Sequence, residues 1–108
     1  MATGDEDYFS QIGGARLDRF NASFPFAELS VFRNALRLNC LGKEYVFPKS
    51  NIAALARFRG LFSTGLLIRH SVPLYPEFVV FWVSVFWSRS RFEKLSERLI
   101  MLGYDVSE

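Results

Sequence analysis

The sequence predicts a mainly β domain that ends in one C-terminal α-helix. Between residues 15 and 85, short apolar runs with alternating side chains recur between glycine, proline and asparagine turns, which is typical of antiparallel strands. From residue 90 onward the apolar spacing changes to three and four residues, which indicates an amphipathic helix. The length of 108 residues and the hydrophobic content of 50% fit a single domain with one core.

Four strands are predicted in the first half of the chain, at 15–20, 27–32, 36–41 and 45–47. The clearest is the third, in which Leu36, Leu38 and Cys40 recur at every second position and are expected to face the core. A glycine turn then closes a hairpin with the fourth strand, which is expected to end at Pro48. The apolar residues 24–26 are expected to form a loop between the first two strands.

Residues 50–60 fit two structures on local evidence. A serine–asparagine cap and a stop at Gly60 indicate a helix, whereas the alternation of side chains between them indicates a strand. A hairpin loop is predicted at 60–65, followed by strands at 66–72 and 78–85. The last strand is apolar on both faces, so one face belongs to the core. The other needs the N-terminal segment, a partner or a second copy to cover it.

The final element is predicted as a helix over residues 90–102. Ser90 and Glu93 have the spacing of a capping box, in which the side chain of each residue bonds the backbone amide of the other. Gly103 supplies a left-handed stop. The apolar face expected to dock on the sheet consists of Phe92, Leu95, Leu99 and Leu102.

The element order, seven short strands followed by one helix, resembles that of the bacterial pleckstrin-homology-like (PH-like) domains. The resemblance rests on four segments, Ser23–Leu29, Tyr45–Ile52, Gly65–His70 and Tyr75–Trp82. It implies a PH-like roll or barrel of about seven antiparallel strands capped by the helix, and it implies that residues 51–59 form the fifth strand. Residues 13–108 are assigned to this domain, and residues 1–12 to an acidic flexible tail.

The sequence offers few residues for catalysis or metal binding. Cys40 is the single cysteine and His70 the single histidine, so an intramolecular disulfide or a zinc site of several Cys and His ligands is not expected. His70 and Ser71 point to opposite faces of a strand and cannot act as a base and nucleophile pair. The glycines match neither phosphate-loop nor dinucleotide spacing. We therefore expect no enzyme activity, no metal, no cofactor and no small-molecule substrate.

Among the features of the sequence, the distribution of charge bears most directly on function. Residues 31–91 carry nine bases against two acids, whereas both ends of the chain are acidic. Four of these bases are candidates for contact with an anion or a partner, Lys49, Arg57, Arg59 and Arg69. Four further residues are candidates for apolar contact, Leu61, Phe62, Trp82 and Trp87. No RNA-binding motif accompanies the aromatic residues, so nucleic acid is not expected as a ligand.

These observations predict a non-enzymatic protein-interaction or assembly module, whose partner is an unidentified protein or another copy of the chain. The alternative is peripheral attachment to an anionic membrane, in which Arg57, Arg59 and Arg69 contact the lipid surface while Leu61 and Phe62 insert. The longest apolar run, 78–87, is shorter than the roughly 18 residues of a spanning helix. The N-terminus lacks the pattern of a secretory signal, so a cytoplasmic location is expected, with membrane attachment only as a peripheral protein.

Overall fold

The computed structural model describes residues 8–60, 63–83 and 88–108, without the side chains of 88–90. These ranges contain seven strands followed by one α-helix, which confirms the predicted fold class. A 3-10 turn, Lys49–Asn51, connects the fourth and fifth strands. The elements are β1 Phe9–Leu17, β2 Phe20–Phe32, β3 Ala35–Cys40, β4 Lys43–Pro48, β5 Ile52–Arg59, β6 Thr64–His70, β7 Val79–Trp82 and α1 Ser88–Met101.

The strands form one antiparallel sheet in the order β4-β3-β2-β1-β7-β6-β5, which curls into a half-barrel. At Gly13 and Gly14 in β1, the partner strands come unusually close. A Cβ atom on Gly13 would lie 2.0 Å from the Trp82 carbonyl oxygen, and one on Gly14 would lie 2.6 Å from the Ala22 carbonyl oxygen. Only glycine fits at such distances, so these two residues allow β2 and β7 to flank β1.

Two predictions in the first third of the chain are wrong. The strand β1 begins at Phe9, so residues 9–12, which were assigned to the flexible tail, belong to the sheet. Residues 24–26 do not separate two strands but lie within β2, in a bulge. Gly13 pairs with Ala27 and Ala15 pairs with Ala22, so four residues of β2 lie opposite Gly14 alone. The apolar residues fit a loop locally, but pairing with β1 on both sides keeps them in the strand.

Most of the ambiguous stretch at 50–60 forms the strand β5, as the resemblance implied, whereas residues 50–51 belong to the 3-10 turn. β5 pairs with β6 along its whole length, with one irregularity between Ile52 and Ala54. This ladder is a tertiary interaction, so it decides between helix and strand where local patterns do not. β7 ends at Trp82, and the remainder of the predicted strand at 84–85 lies outside the described residues, as do Leu61, Phe62 and Trp87.

The helix α1 closes one side of the half-barrel. Its side chains Phe92, Leu95 and Leu99 are buried in the core together with inward-facing residues of the strands, as the spacing predicted. The helix begins two residues before the predicted start, and the predicted cap at Ser90 involves a side chain outside the description. Gly103 adopts the left-handed conformation, with φ of 94°, and ends the helix as expected. No helix in the described ranges has the length and apolar composition needed to cross a membrane.

Candidate functional site

One edge of the sheet is formed by β5, and the end of the chain runs along it. We call residues 104–108 the C-terminal segment. Ser107 pairs in parallel with Ala56, donating its amide to the Leu55 carbonyl at 2.9 Å and accepting from the Arg57 amide at 2.8 Å. This pairing is one residue long, whereas β5 has eight residues. The sheet edge therefore already accepts an extended segment, but over a small part of its length.

The C-terminal segment is anchored at its first residue. The Tyr104 side chain is buried in the core, and its hydroxyl donates a hydrogen bond of 2.6 Å to the Phe32 carbonyl. Burial raises the pKa of the Tyr104 hydroxyl to about 12, because the phenolate would lose its solvation. The ammonium of Lys49 lies 4.8 Å from the centre of the Tyr104 ring. Residues beyond Tyr104 are more exposed, so the segment is anchored by a buried side chain and pairs with β5 through an exposed residue, Ser107.

Arg57 lies beside the paired Ser107, on the inner face of β5 with the buried Leu55. Its guanidinium stacks 4.6 Å from the centre of the Phe92 ring, which belongs to α1. Its Nε lies 3.0 Å from Glu108 Oε1, and the two side chains are 14% and 77% exposed. The Nε atom is buried and makes no hydrogen bond of good geometry, so this is an ion pair without an aligned N–H donor. Arg57 is thus a largely buried cation held against Phe92, and its anionic partner is mostly exposed.

A cavity of about 390 Å³ separates the first half of β5 from the C-terminal segment. Within the segment the backbone pairing with β5 is at Ser107, and residues 103–106 line the cavity on the side opposite residues 52–55. Lys49, Ala54, Asp105 and Val106 are among its lining residues. A cation therefore lies near each end of the site, with Lys49 at the cavity and Arg57 at the pairing position.

The basic residues predicted from the sequence do not form one patch. Arg57 pairs with the buried Leu66, and Ala54 pairs with Arg69. Directly paired residues share a face, and positions 54 and 57 point to opposite faces of β5. Arg69 therefore lies on the outer face, away from Arg57 on the inner face. The alternation of β6 turns Arg69 outward when Ile68 faces the core, so these candidate contact residues lie on two faces of the sheet.

Trp82, predicted as an apolar contact, lies on the outer face of the sheet. Its ring centre is 5.7 Å from that of Phe58, and its Nε1 donates to Asn21 Oδ1 at 3.2 Å. Phe78 joins the same cluster, with its ring centre 5.5 Å from that of Phe58. Val80, between Phe78 and Trp82 on this face, is fully buried. The outer face of β7 is thus covered in part by side chains of the domain itself, an arrangement not foreseen from the sequence.

Cys40 and His70 take part in the packing of the domain. Cys40 is buried, and desolvation raises the pKa of its thiol, which keeps it protonated at neutral pH. His70 Nδ1 accepts from the Val72 amide at 3.0 Å, so Nε2 carries the proton and donates to the Pro76 carbonyl at 2.8 Å. Both ring nitrogens thus hold the loop that follows β6. Among the described residues, no three His, Cys, Asp or Glu side chains are grouped as a metal site would require.

Sequence reasoning missed two features of the surface. The first is the C-terminal segment, whose only signal was a pair of apolar residues, Tyr104 and Val106, beyond the helix stop. The second is a group of exposed apolar side chains around the β2 bulge, where the Leu41 amide donates to the Phe26 carbonyl at 3.1 Å. Ile12, Phe24, Phe26 and Leu41 are exposed there. Comparison of the sequence with family models and with curated proteins finds no match.

Proposed function

We propose that the protein is a non-enzymatic protein-interaction module that binds an extended segment of a partner along the β5 edge. The observation that carries this proposal is the pairing of Ser107 with Ala56, because a residue of the chain itself pairs with this edge as a residue of a partner strand would. Strand addition to a free sheet edge is a common mode of peptide recognition, in which backbone hydrogen bonds supply much of the affinity. The resemblance to PH-like domains is part of the proposal and is supported by the seven antiparallel strands followed by a helix.

The outward backbone groups of β5 are not limited to those that bond to Ser107. The bonds at Leu55 and Arg57 show that these residues direct their backbone groups outward from the sheet. By alternation, Arg59 directs its amide and carbonyl to the same side. A segment of six to eight residues could therefore pair with Arg59 as well as with the two positions that Ser107 uses. The additional hydrogen bonds would let such a segment displace the single-residue pairing.

The separation of the basic residues supports protein binding over membrane attachment. A flat anionic surface would have to contact Arg57 and Arg59 on one face of the sheet and Arg69 on the other. Arg57 is also largely buried between Phe92 and Glu108. These three side chains cannot meet one plane without a rearrangement of the sheet. The membrane alternative predicts strong, salt-sensitive co-sedimentation with anionic vesicles that the double substitution Arg57→Glu and Arg59→Glu abolishes, whereas our proposal predicts weak binding.

The proposal is tested by selecting nine-residue peptides from a random display library on the full chain. Binding is then compared between Arg59→Pro and its control Arg59→Ala. Proline removes the outward amide without breaking the β5–β6 ladder, so it should abolish binding, whereas alanine keeps the amide and should retain it. Hydrogen exchange should show new protection at the β5 amides. Equal binding to both variants, protection elsewhere in the sheet, or a selection that yields no binding peptide would contradict the proposal.

A further inference from the structure

We infer that the β5 edge selects partner segments that carry a carboxylate beside Arg57, and that the C-terminal segment competes with them. This inference rests on the proposed function and adds the chemistry of the ligand. The C-terminal segment acts as a built-in analogue of that ligand, because it contributes one strand-pairing residue, Ser107, followed directly by an acid, Glu108.

The selectivity follows from the position of Arg57. Its guanidinium stacks on Phe92 of α1 at 4.6 Å, a contact that does not depend on the C-terminal segment, and its side chain is 14% exposed with the segment in place. Glu108 lies within 3.0 Å of Nε but leaves that N–H without an aligned acceptor. A partner carboxylate placed in line with the N–H would gain a charge-assisted hydrogen bond that Glu108 does not make. A neutral side chain at the same position would leave a largely buried cation without its counter-charge.

Charge complementarity along the rest of the edge also favours an acidic partner segment. The C-terminal segment brings two acids, with Asp105 at the cavity and Glu108 at Arg57. Lys49 lines the cavity as well, with its ammonium over the Tyr104 ring. When a partner displaces residues 105–108, both acids leave while Lys49 and Arg57 stay. An acidic partner segment neutralises these two cations again, whereas a neutral or basic segment does not.

The competition follows from how weakly the outer part of the segment is held. Two backbone hydrogen bonds, a longer one from the Ser107 hydroxyl to the Leu55 carbonyl and one ion pair attach Ser107 and Glu108 to β5, and Val106 packs partly buried against the core. Tyr104 remains buried and hydrogen-bonded to Phe32 when the residues after it are released. Local opening of so few contacts costs much less than global unfolding. A partner can bind only those molecules in which residues 105–108 have left β5. Its apparent affinity is therefore its intrinsic affinity multiplied by the fraction of such open molecules.

The test uses two fluorescein-labelled peptides that extend the segment's own sequence. The acidic probe is Thr-Tyr-Asp-Val-Ser-Glu-Val-Thr-Val, and the neutral probe replaces its Asp and Glu with Asn and Gln. Both are titrated by fluorescence anisotropy against the full chain. The acidic probe should bind at least about ten times more tightly, since each tenfold step corresponds to about 1.4 kcal/mol. Arg57→Gln should reduce this ratio several-fold, leaving the part that the probe's Asp contributes beside Lys49. The ratio rather than the affinity is the readout because Arg57 also holds Glu108.

Competition is tested with Ser107→Pro, which removes the amide that pairs with Leu55, against the control Ser107→Ala, which keeps it. The proline variant should bind the acidic probe several times more tightly than the alanine variant, and Glu108→Lys should do the same without a change in the backbone. Equal affinity for the two probes would overturn the inference and leave the proposed function intact. Unchanged affinity in both Ser107→Pro and Glu108→Lys would overturn the competition. Failure of both probes to bind any variant would contradict the proposed function itself.

Discussion

The two edges of the sheet are closed in different ways. At the β4 edge, the Val46 amide donates to the Tyr75 hydroxyl at 3.0 Å, and Pro48 has no amide to offer. Phe47 fixes this strand to the core, with its ring centre 4.8 Å from that of His70. At the β5 edge, the closing contact is the short pairing with Ser107. One edge is thus contacted by side chains of the packed domain, and the other by the backbone of Ser107 and the side chain of Glu108.

This difference supports β5 rather than β4 as the edge at which we propose that a partner binds. Exposed sheet edges invite pairing with other chains, and proteins protect them with proline, with short strands or with covering segments. The protection of β4 cannot be removed without disturbing the Phe47 and Tyr75 packing. The protection of β5 can be removed by releasing residues 105–108 while Tyr104 stays in place. A removable cover on one edge and a permanent one on the other is the arrangement expected of a single binding edge.

The largest effect is expected at β4. Phe47→Ala should lower the free energy of unfolding by about 3 to 5 kcal/mol, because it leaves a cavity among fully buried side chains. The control is Val46→Ala on the exposed face of the same strand, which should change stability by less than about 0.5 kcal/mol. Urea denaturation measures both. A loss from Phe47→Ala no greater than that from Val46→Ala would show that β4 is not fixed by its core contact.

The elements that could be predicted from the sequence are those set by local patterns. The alternation of Leu36 with Leu38 defines β3, and the spacing of Phe92 and Leu95 defines the buried face of α1. The face on which Arg69 lies could also have been predicted, because Arg69 alternates with the core residue Ile68. The β2 bulge and the pairing of Ser107 with β5 could not be predicted, since each depends on residues distant in the sequence.

The anchor of the C-terminal segment should be sensitive to high pH. The pKa of Tyr104 is raised from 10.0 to about 12 in the fold, so between these values the unfolded chain releases a proton that the folded chain keeps. Stability should therefore fall as the pH rises through this range, by about 2 kcal/mol more in the wild type than in Tyr104→Phe. Buried Cys40 acts in the same direction, so both proteins should also carry Cys40→Ala. Urea titrations at several pH values measure the difference, and parallel curves would contradict the assignment.

A smaller effect is expected from the hydroxyl that closes β4. Tyr75→Phe removes the acceptor of the Val46 amide and should cost about 0.5 to 1.5 kcal/mol. Hydrogen exchange should accelerate at Val46 in particular. Tyr45→Phe is the matched control, because Tyr45 contacts the same ring at 5.1 Å and leaves the Tyr75 hydroxyl in place. If exchange at Val46 is unchanged in Tyr75→Phe, the hydroxyl does not protect this edge.

The smallest effects should come from the two ion pairs, one near each edge. Arg37 and Glu44 are 2.6 Å apart with both side chains about half exposed, so Glu44→Gln should cost about 0.3 kcal/mol and the loss should vanish in high salt. Arg57 is largely buried, so Glu108→Gln should cost more, about 0.5 to 1 kcal/mol, with a weaker dependence on salt. Urea denaturation at low and high salt separates the two cases. An equal cost and an equal salt dependence would mean that Arg57 is as well solvated as Arg37, and the selectivity for acidic segments would then lose its physical basis.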